Sequence, residues 1–298
     1  MSAIVIEGLR KTYTTRKSTV EAVRGIDLTI NEGEIFALLG PNGAGKTTTV
    51  EILEGFRKPT AGRVEVLGFD PGKSSQRLRE QIGIVLQLAS AEPYLTVTEV
   101  LERTAMLYPH PLTATRAIEL VGLEASARKR VKALSGGQLR RLDMAMAVIG
   151  QPKLLFLDEP TTGFDPSARR EAWEVVKGLS HNGATVLLTT HYMEEAQVLA
   201  DRVAVIAAGK IVAEGTPETI GGRNRASVAI RFEPPPDHRL EDMPVMAEMD
   251  EDMAVIHTDD PTRTLHLLTG WALQRGVRIE GLTVERPTLE DIYLKLVS

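Results

Sequence analysis

The chain has no cysteine in 298 residues. Disulfides and thiolate metal sites are therefore excluded. This fits a reducing compartment without establishing one. Long hydrophobic runs are also lacking. The longest, Val203 to Ala208, falls far short of the roughly 20 apolar residues of a membrane helix and reads as a buried strand. The opening MSAIVIEGLRKTY has Ile4, Val5 and Ile6 as its only apolar cluster, so no signal peptide is predicted. A membrane role would have to run through a partner. Strong charge is missing too. A net charge of −5 gives no general attraction to nucleic acid or anionic lipid, and no nucleic-acid partner is expected.

What remains is ordinary globular material, 43% hydrophobic and 25% charged. It suffices for one large domain with a smaller one, or for two modest ones. Short apolar runs alternate with helical patterns, which predicts an α/β sheet protein. Strands are expected at 3–7, about 20–30, 34–40, 82–86, 154–157 and 185–188, with a hairpin over 203–214 turning at Ala208-Gly209. Helices are expected from Lys46 to Phe56, over most of 97–149 and over 166–180. Composition changes at Gly221-Gly222. Beyond it the pattern reads strand (229–233), a triple-proline stop, strand (254–257), a helix opening at Pro261, strand (277–284) and a short helix (288–296). We read 1–221 as the main domain, with a helical subdomain at about 88–150, and 222–298 as a small α+β appendage.

The segment GPNGAGKT matches a phosphate-binding loop, placed after a buried strand and before a helix. Gly43 and Gly45 let backbone N–H groups close around phosphate oxygens, and the helix start adds its dipole. Lys46 supplies a charge to the β- and γ-phosphates, and the Thr47 hydroxyl is placed to ligate Mg²⁺. The competing reading is a glycine-rich surface turn. LLFLDEP is an apolar strand ending in two carboxylates. The carboxyl ends of parallel strands face the ligand crevice, so Asp158 would hold Mg²⁺ and Glu159 would polarise the attacking water. Alone, that segment reads equally as a strand ending in a solvated turn. LSGGQ precedes another helix, with Ser135 as N-cap and open N–H groups beyond it. By itself it reads as a capped helix without ligand. His191, singly, reads as a structural histidine at a strand end, and Gln87 as a polar loop residue. The basic run Arg128-Lys129-Arg130 and Lys132 reads as a solvated face.

The order of these segments carries more than any one of them. GPNGAGKTT, Gln87, LSGGQ, LLFLDEP, the aspartate of TTGFDP and His191 together resemble the ATP-binding cassette (ABC) family over about residues 1–220. The resemblance implies a P-loop NTPase fold, with ATP and Mg²⁺ as ligands. It implies nucleotide binding by Tyr13, stacked on adenine, and by the loop residues Gly40, Pro41, Asn42, Gly43, Ala44, Gly45, Lys46, Thr47 and Thr48. It implies that Ser135, Gly136, Gly137 and Gln138 contact the γ-phosphate held by an opposite subunit, and that Asp165 communicates across that dimer. His191 would contact the γ-phosphate, and Gln87 would sense Mg²⁺ where a membrane subunit docks. Catalysis would fall to Glu159, His191, Gln87 and Lys46, with the metal held by Thr47, Gln87 and Asp158. Phe164 departs from the family's usual leucine but stays apolar. PTLEDIYLKL (287–296) and LSGGQLRRLDMAMAVIG (134–150) resemble ATPases of daunorubicin-resistance-type exporters.

The resemblance thus implies an ATPase subunit that pairs with a second ATP-binding subunit, expected to be another copy. It would drive a separate membrane-spanning subunit from the cytoplasmic face of the cell membrane. The alternative is an ABC ATPase outside transport. Such proteins carry two fused cassettes or an inserted coiled coil, whereas this chain has one phosphate loop and a short interval from Gln87 to Leu134 without heptads. A non-hydrolytic sensor would lack the carboxylate or the histidine, and Glu159 and His191 are both present.

Overall fold

A computed structural model describes residues 1–15, 18–73, 75–85, 91–181, 183–236 and 238–297. Gln87 lies outside the described residues. The chain separates into two compact units, Met1–Pro217 and Glu218–Ser298, a few residues before the compositional change at Gly221-Gly222.

In the first unit, β1 (Ser2–Thr14), β2 (Thr19–Asn31) and β3 (Ile35–Leu39) lead into α1 (Lys46–Leu53). β4 (Ala61–Val66), α2 (Gln76–Arg79) and β5 (Ile82–Val85) follow, then the helices α3 (Val97–Ala105), α4 (Ala114–Leu120) and α5 (Gly136–Val148). The unit closes with β6 (Leu154–Asp158), α6 (Pro166–His181), β7 (Thr185–Thr190), α7 (Met193–Leu199), β8 (Arg202–Ala207) and β9 (Lys210–Gly215). Among the described residues the strands form a sheet ordered β5-β6-β7-β3-β8-β9 and a second ordered β2-β1-β4. The first is parallel except for β9, which returns antiparallel beside β8.

β3 and β7 are buried at every residue. That is why IFALL and TVLLTT do not alternate: helices or the second sheet cover both faces. Phe36 and Phe156 of the parallel sheet, Ile52 and Leu53 of α1, and Ile4 and Ile30 of the antiparallel sheet share one buried cluster. The antiparallel register pairs Ile4 with Ile30 on one side and with Val66 on the other. The carboxyl ends of β3, β6 and β7 come side by side, with Leu39 opposite Thr190 and Asp158 opposite Thr189.

Some elements differ from the sequence reading. β4 was not expected, because only Val64 and Val66 of AGRVEV are buried and its first residues are exposed. α1 ends at Leu53 rather than Phe56, since Gly55 turns the chain at φ +83°. The span 97–149 is three helices, separated near Pro109 and Pro111 and again at Gly122, which has φ 64°.

The second unit contains β10 (Val228–Phe232), β11 (Glu248–Asp250), β12 (Met253–Thr258), α8 (Pro261–Arg275), β13 (Thr283–Glu285) and α9 (Leu289–Val297). Its antiparallel sheet runs β11-β12-β10-β13. Ile230, Phe232, Ile256, Leu268 and Trp271 are buried together between that sheet and α8. α8 starts where the Asp260 side chain accepts from Arg263 N–H, and ends at left-handed Gly276. The expected strand 277–284 shrinks to Thr283–Glu285, because Gly281 at φ 62° bends the chain before it. Among the described residues no helix is long and apolar enough to cross a membrane.

Candidate functional site

β3 delivers the chain to Gly40, and the loop closes on Gly45 at φ 110°, directly before α1. The tightness of the loop demands glycine. A Cβ on Gly40 would lie 2.3 Å from the Ile206 carbonyl oxygen, and one on Gly45 would lie 2.5 Å from that of Ala22. Ala44, Gly45 and Lys46 are buried, while Pro41, Asn42, Gly43 and Thr47 face solvent. The Lys46 ammonium is held inside the loop, donating to Gly40 O at 2.7 Å and Pro41 O at 3.2 Å. Burial lowers its pKa, and the charges of Glu159 and Asp158 oppose that shift. Lysine and both carboxylates therefore share one electrostatic neighbourhood. Glu54, at the end of α1, is pushed up to about 8 by burial and by repulsion from Asp158 and Glu51.

Tyr13 lies next to the end of β1, beside the loop. Its hydroxyl is 3.4 Å from Thr48 Oγ1, and its ring is flanked by Lys11 Nζ at 5.1 Å and the Arg57 guanidinium at 5.6 Å. The ring is half-buried, so one part remains available for a flat partner.

At the end of β6, Asp158 Oδ1 accepts from the Thr189 hydroxyl. Glu159 has φ 47°, a left-handed backbone that non-glycine residues adopt sparingly and that clusters at working sites. Its N–H donates to Thr189 O at 3.0 Å. One carboxylate oxygen lies 3.4 Å from His191 Nδ1, and the other accepts from the Thr162 hydroxyl at 3.2 Å. His191 is exposed after β7. Lys46, Asp158, Glu159 and His191 thus gather at the ends of three neighbouring strands.

The start of α5 borders the Glu159 turn. Ser135 Oγ accepts from Gln138 N–H at 3.3 Å, and Gln138 Oε1 accepts from Ser135 N–H at 3.2 Å, a reciprocal cap. Ser135 and Gly136 are exposed. They line a cavity of about 880 Å³ together with Glu159, Gly163, Phe164 and Asp165, and residues 40–48 do not contribute to it. Two helix starts, at Lys46 and at Ser135, thus carry glycine-rich entries with solvent-facing residues. Asp165 Oδ1 accepts from Ser167 and Ala168 N–H at 2.9 and 3.0 Å, so it also caps α6.

Sequence reasoning missed Thr189, Thr162, Arg140 and Glu195. Thr189 is one of two threonines that end β7 after Val186, Leu187 and Leu188, a signal of polar work at that end. Arg140 is buried on α5 and donates to the carbonyls of Asp158 and Pro160. Glu195 was visible as a charged residue beside the apolar stripe of Ala196 and Leu199 on α7.

The ABC transporter family profile matches residues 23–162, and the profile of an ABC transporter domain-containing protein-like C-terminal domain matches 228–288. A daunorubicin resistance ATP-binding protein of Streptomyces coeruleorubidus is 37% identical, covering 100% of this chain and 96% of its own length. A Nod factor export ATP-binding protein of Rhizobium sp. (strain N33) is 36% identical over 99% of this chain and 97% of its own. A dimeric ATP-binding cassette, solved in a post-hydrolysis state with ADP and Pi, superposes with a TM-score of 0.64 at 26% identity, covering 72% of this chain and 98% of that one. The phosphate loop, the paired carboxylates and the LSGGQ signature at the exposed start of α5 occur here in one chain, similar over its whole length to such proteins: it belongs to the ABC transporter family, as an ATP-binding and ATP-hydrolysing subunit.

Proposed function

We propose that the chain hydrolyses MgATP at a site completed by a second copy and uses the closure to drive a separate membrane-spanning subunit in export. The observation that carries this reading is the exposed, capped helix start at Ser135, which opens to solvent beside Glu159. Ser135 and Gly136 border a cavity with Glu159 to which residues 40–48 do not contribute, and a nucleotide closed between two copies would meet the loop of one and the α5 start of the other. The structurally similar cassette is itself a dimer, and the daunorubicin-resistance and Nod-factor-export relatives support an export role.

Lys46 and the loop N–H groups would bind the β- and γ-phosphates, and Tyr13 would stack on adenine. Thr47, Asp158 and Gln87 offer oxygen donors suited to a hard cation. When bound, Mg²⁺ would neutralise phosphate charge. Glu159 would accept a proton as a water oxygen attacks the γ-phosphorus and the bond to the β–γ bridging oxygen breaks, leaving ADP and phosphate. His191 would hold the γ-phosphate, and Ser135 to Gln138 of the opposite copy would cover it.

Docking of the membrane subunit is supported by a groove of about 310 Å³ lined by Phe56, Val85, Tyr108 and Met146. Phe56 is 64% exposed there, and Met106 and Leu107, just before Tyr108, are 82% and 78% exposed. We assign residues 1–221 to the motor, with its helical subdomain at about 88–150, and 222–298 to the appendage. The chain would sit at the cytoplasmic face of the cell membrane through that partner.

Phosphate release by wild type and Glu159→Gln tests the chemistry. The amide keeps the shape but accepts no proton, so the rate should fall by about 10²–10⁴-fold with MgATP still bound. Near wild-type turnover would remove Glu159 from the role.

A further inference from the structure

The turn from Asp158 to Thr161, which carries Glu159, is gripped by side chains from two helices. From α5, the Arg140 guanidinium donates to Pro160 O at 3.2 Å through Nε, and to Asp158 O at 3.1 Å and Glu159 O at 3.4 Å through Nη2. Arg140 is 9% exposed. From α7, the fully buried Glu195 accepts through Oε1 from the Thr161 hydroxyl at 2.8 Å and from Trp173 Nε1 of α6 at 3.1 Å. Its Oε2 meets no hydrogen-bond partner among the described residues. The two charges feel each other: burial lowers the Arg140 pKa, while Asp143, Asp158 and Glu195 pull it back up. Four consecutive residues are thus fixed through three carbonyls and a hydroxyl.

Stability alone does not explain this arrangement. Well-packed apolar residues are often as good as, or better than, a buried guanidinium and carboxylate. The grip gives definition to a backbone that would otherwise relax. Glu159 sits at φ 47°, and the bonds to its neighbours hold it there. That conformation turns its carboxylate toward His191 Nδ1, 3.4 Å away.

We propose that Arg140 and Glu195 are positioning residues for hydrolysis, which hold the 158–161 turn in the conformation that aims the Glu159 carboxylate. The signature helix α5 and the helix following His191 would then both set the aim of the base. The inference rests on the role given to Glu159 above, and its test separates the two.

In steady-state assays, Arg140→Lys and Glu195→Ala should each lower kcat by about 10–100-fold, the scale of a misplaced reacting group. The KM for MgATP should stay within about twofold, because the phosphate loop is untouched. A lysine is a point charge and does not span three carbonyls. Glu195→Gln keeps the acceptor for Thr161 and Trp173, and should retain activity within about threefold even if Glu195→Ala folds poorly. The decisive comparison is single-turnover hydrolysis by Glu159→Gln with and without Arg140→Lys. If Arg140 acts through Glu159, the double variant is no slower than Glu159→Gln alone. Losses that multiply, a KM that moves with kcat, or full activity in Arg140→Lys would overturn the positioning role while leaving Glu159 as base. Near wild-type turnover by Glu159→Gln alone would remove the base, and the proposal with it.

Discussion

Lys46 combines burial, a full charge and two backbone acceptors within its own loop. Lys46→Ala removes the main positive charge available to the β- and γ-phosphates, and a charge-assisted hydrogen bond contributes about 1.5–3 kcal/mol. Equilibrium binding of a fluorescent ATP analogue should therefore weaken at least about tenfold; unchanged affinity would mean that 40–48 is not the nucleotide cradle. Asp143 provides a pH test. Burial raises its pKa from 3.8 to about 6, against the attraction of Arg140. The folded chain thus holds this proton more tightly than the unfolded one. Its contribution is present below pH 3.8 and is lost as pH rises to about 6. Asp143→Asn should raise Tm at pH 7, where the recovered energy is on the order of 1–3 kcal/mol, and leave Tm unchanged near pH 4. Thermal melts across that range check the slope; an equal shift at both ends would contradict it. That Lys46, Asp158 and Glu159 share one neighbourhood was legible because each stands in a motif at the end of an apolar strand. The contacts of Arg140, Thr189 and Glu195 were not, because each bonds a segment that only the folded sheet brings near it, although Thr189 and Glu195 stood out as polar residues in apolar surroundings.

At the scale of elements, α5 has a capped, exposed start, proposed to serve a neighbour's nucleotide, and Arg140 near its first turn bonds the turn after β6. Ser135→Arg removes the cap, at about 0.5–2 kcal/mol of helix stability, and fills the exposed face with a long side chain. MgATP binding to a single chain should persist, because residues 40–48 are unchanged, while steady-state turnover should be lost. Wild-type turnover by Ser135→Arg would refute the arrangement in which this helix serves a neighbour's nucleotide. The buried strands β3, β6 and β7 were readable as continuous apolar runs ending in glycine, aspartate and threonine. β4 was not, since Ala61, Gly62 and Arg63 give no apolar alternation. The strand expected at 277–284 was over-read for the opposite reason: its apolar pattern ignored the turn that Gly281 imposes.

For the whole molecule, the proposed site is completed by a second copy of the chain. The order of motifs conveyed the family and its fold class. That the α5 start shares a cavity with Glu159 became visible only in the folded chain. The central claim is that ATP joins two copies of this chain, each completing the other's site. The apparent mass of Glu159→Gln in gel filtration with and without MgATP tests it most directly. Hydrolysis is slowed in this variant and the carboxylate's repulsion with the γ-phosphate is gone, so the ATP-bound pair should persist. The account predicts a shift from monomer to dimer on adding MgATP, absent in a Glu159→Gln/Ser135→Arg double variant. An inactive Glu159→Gln that binds MgATP yet remains a monomer would contradict it.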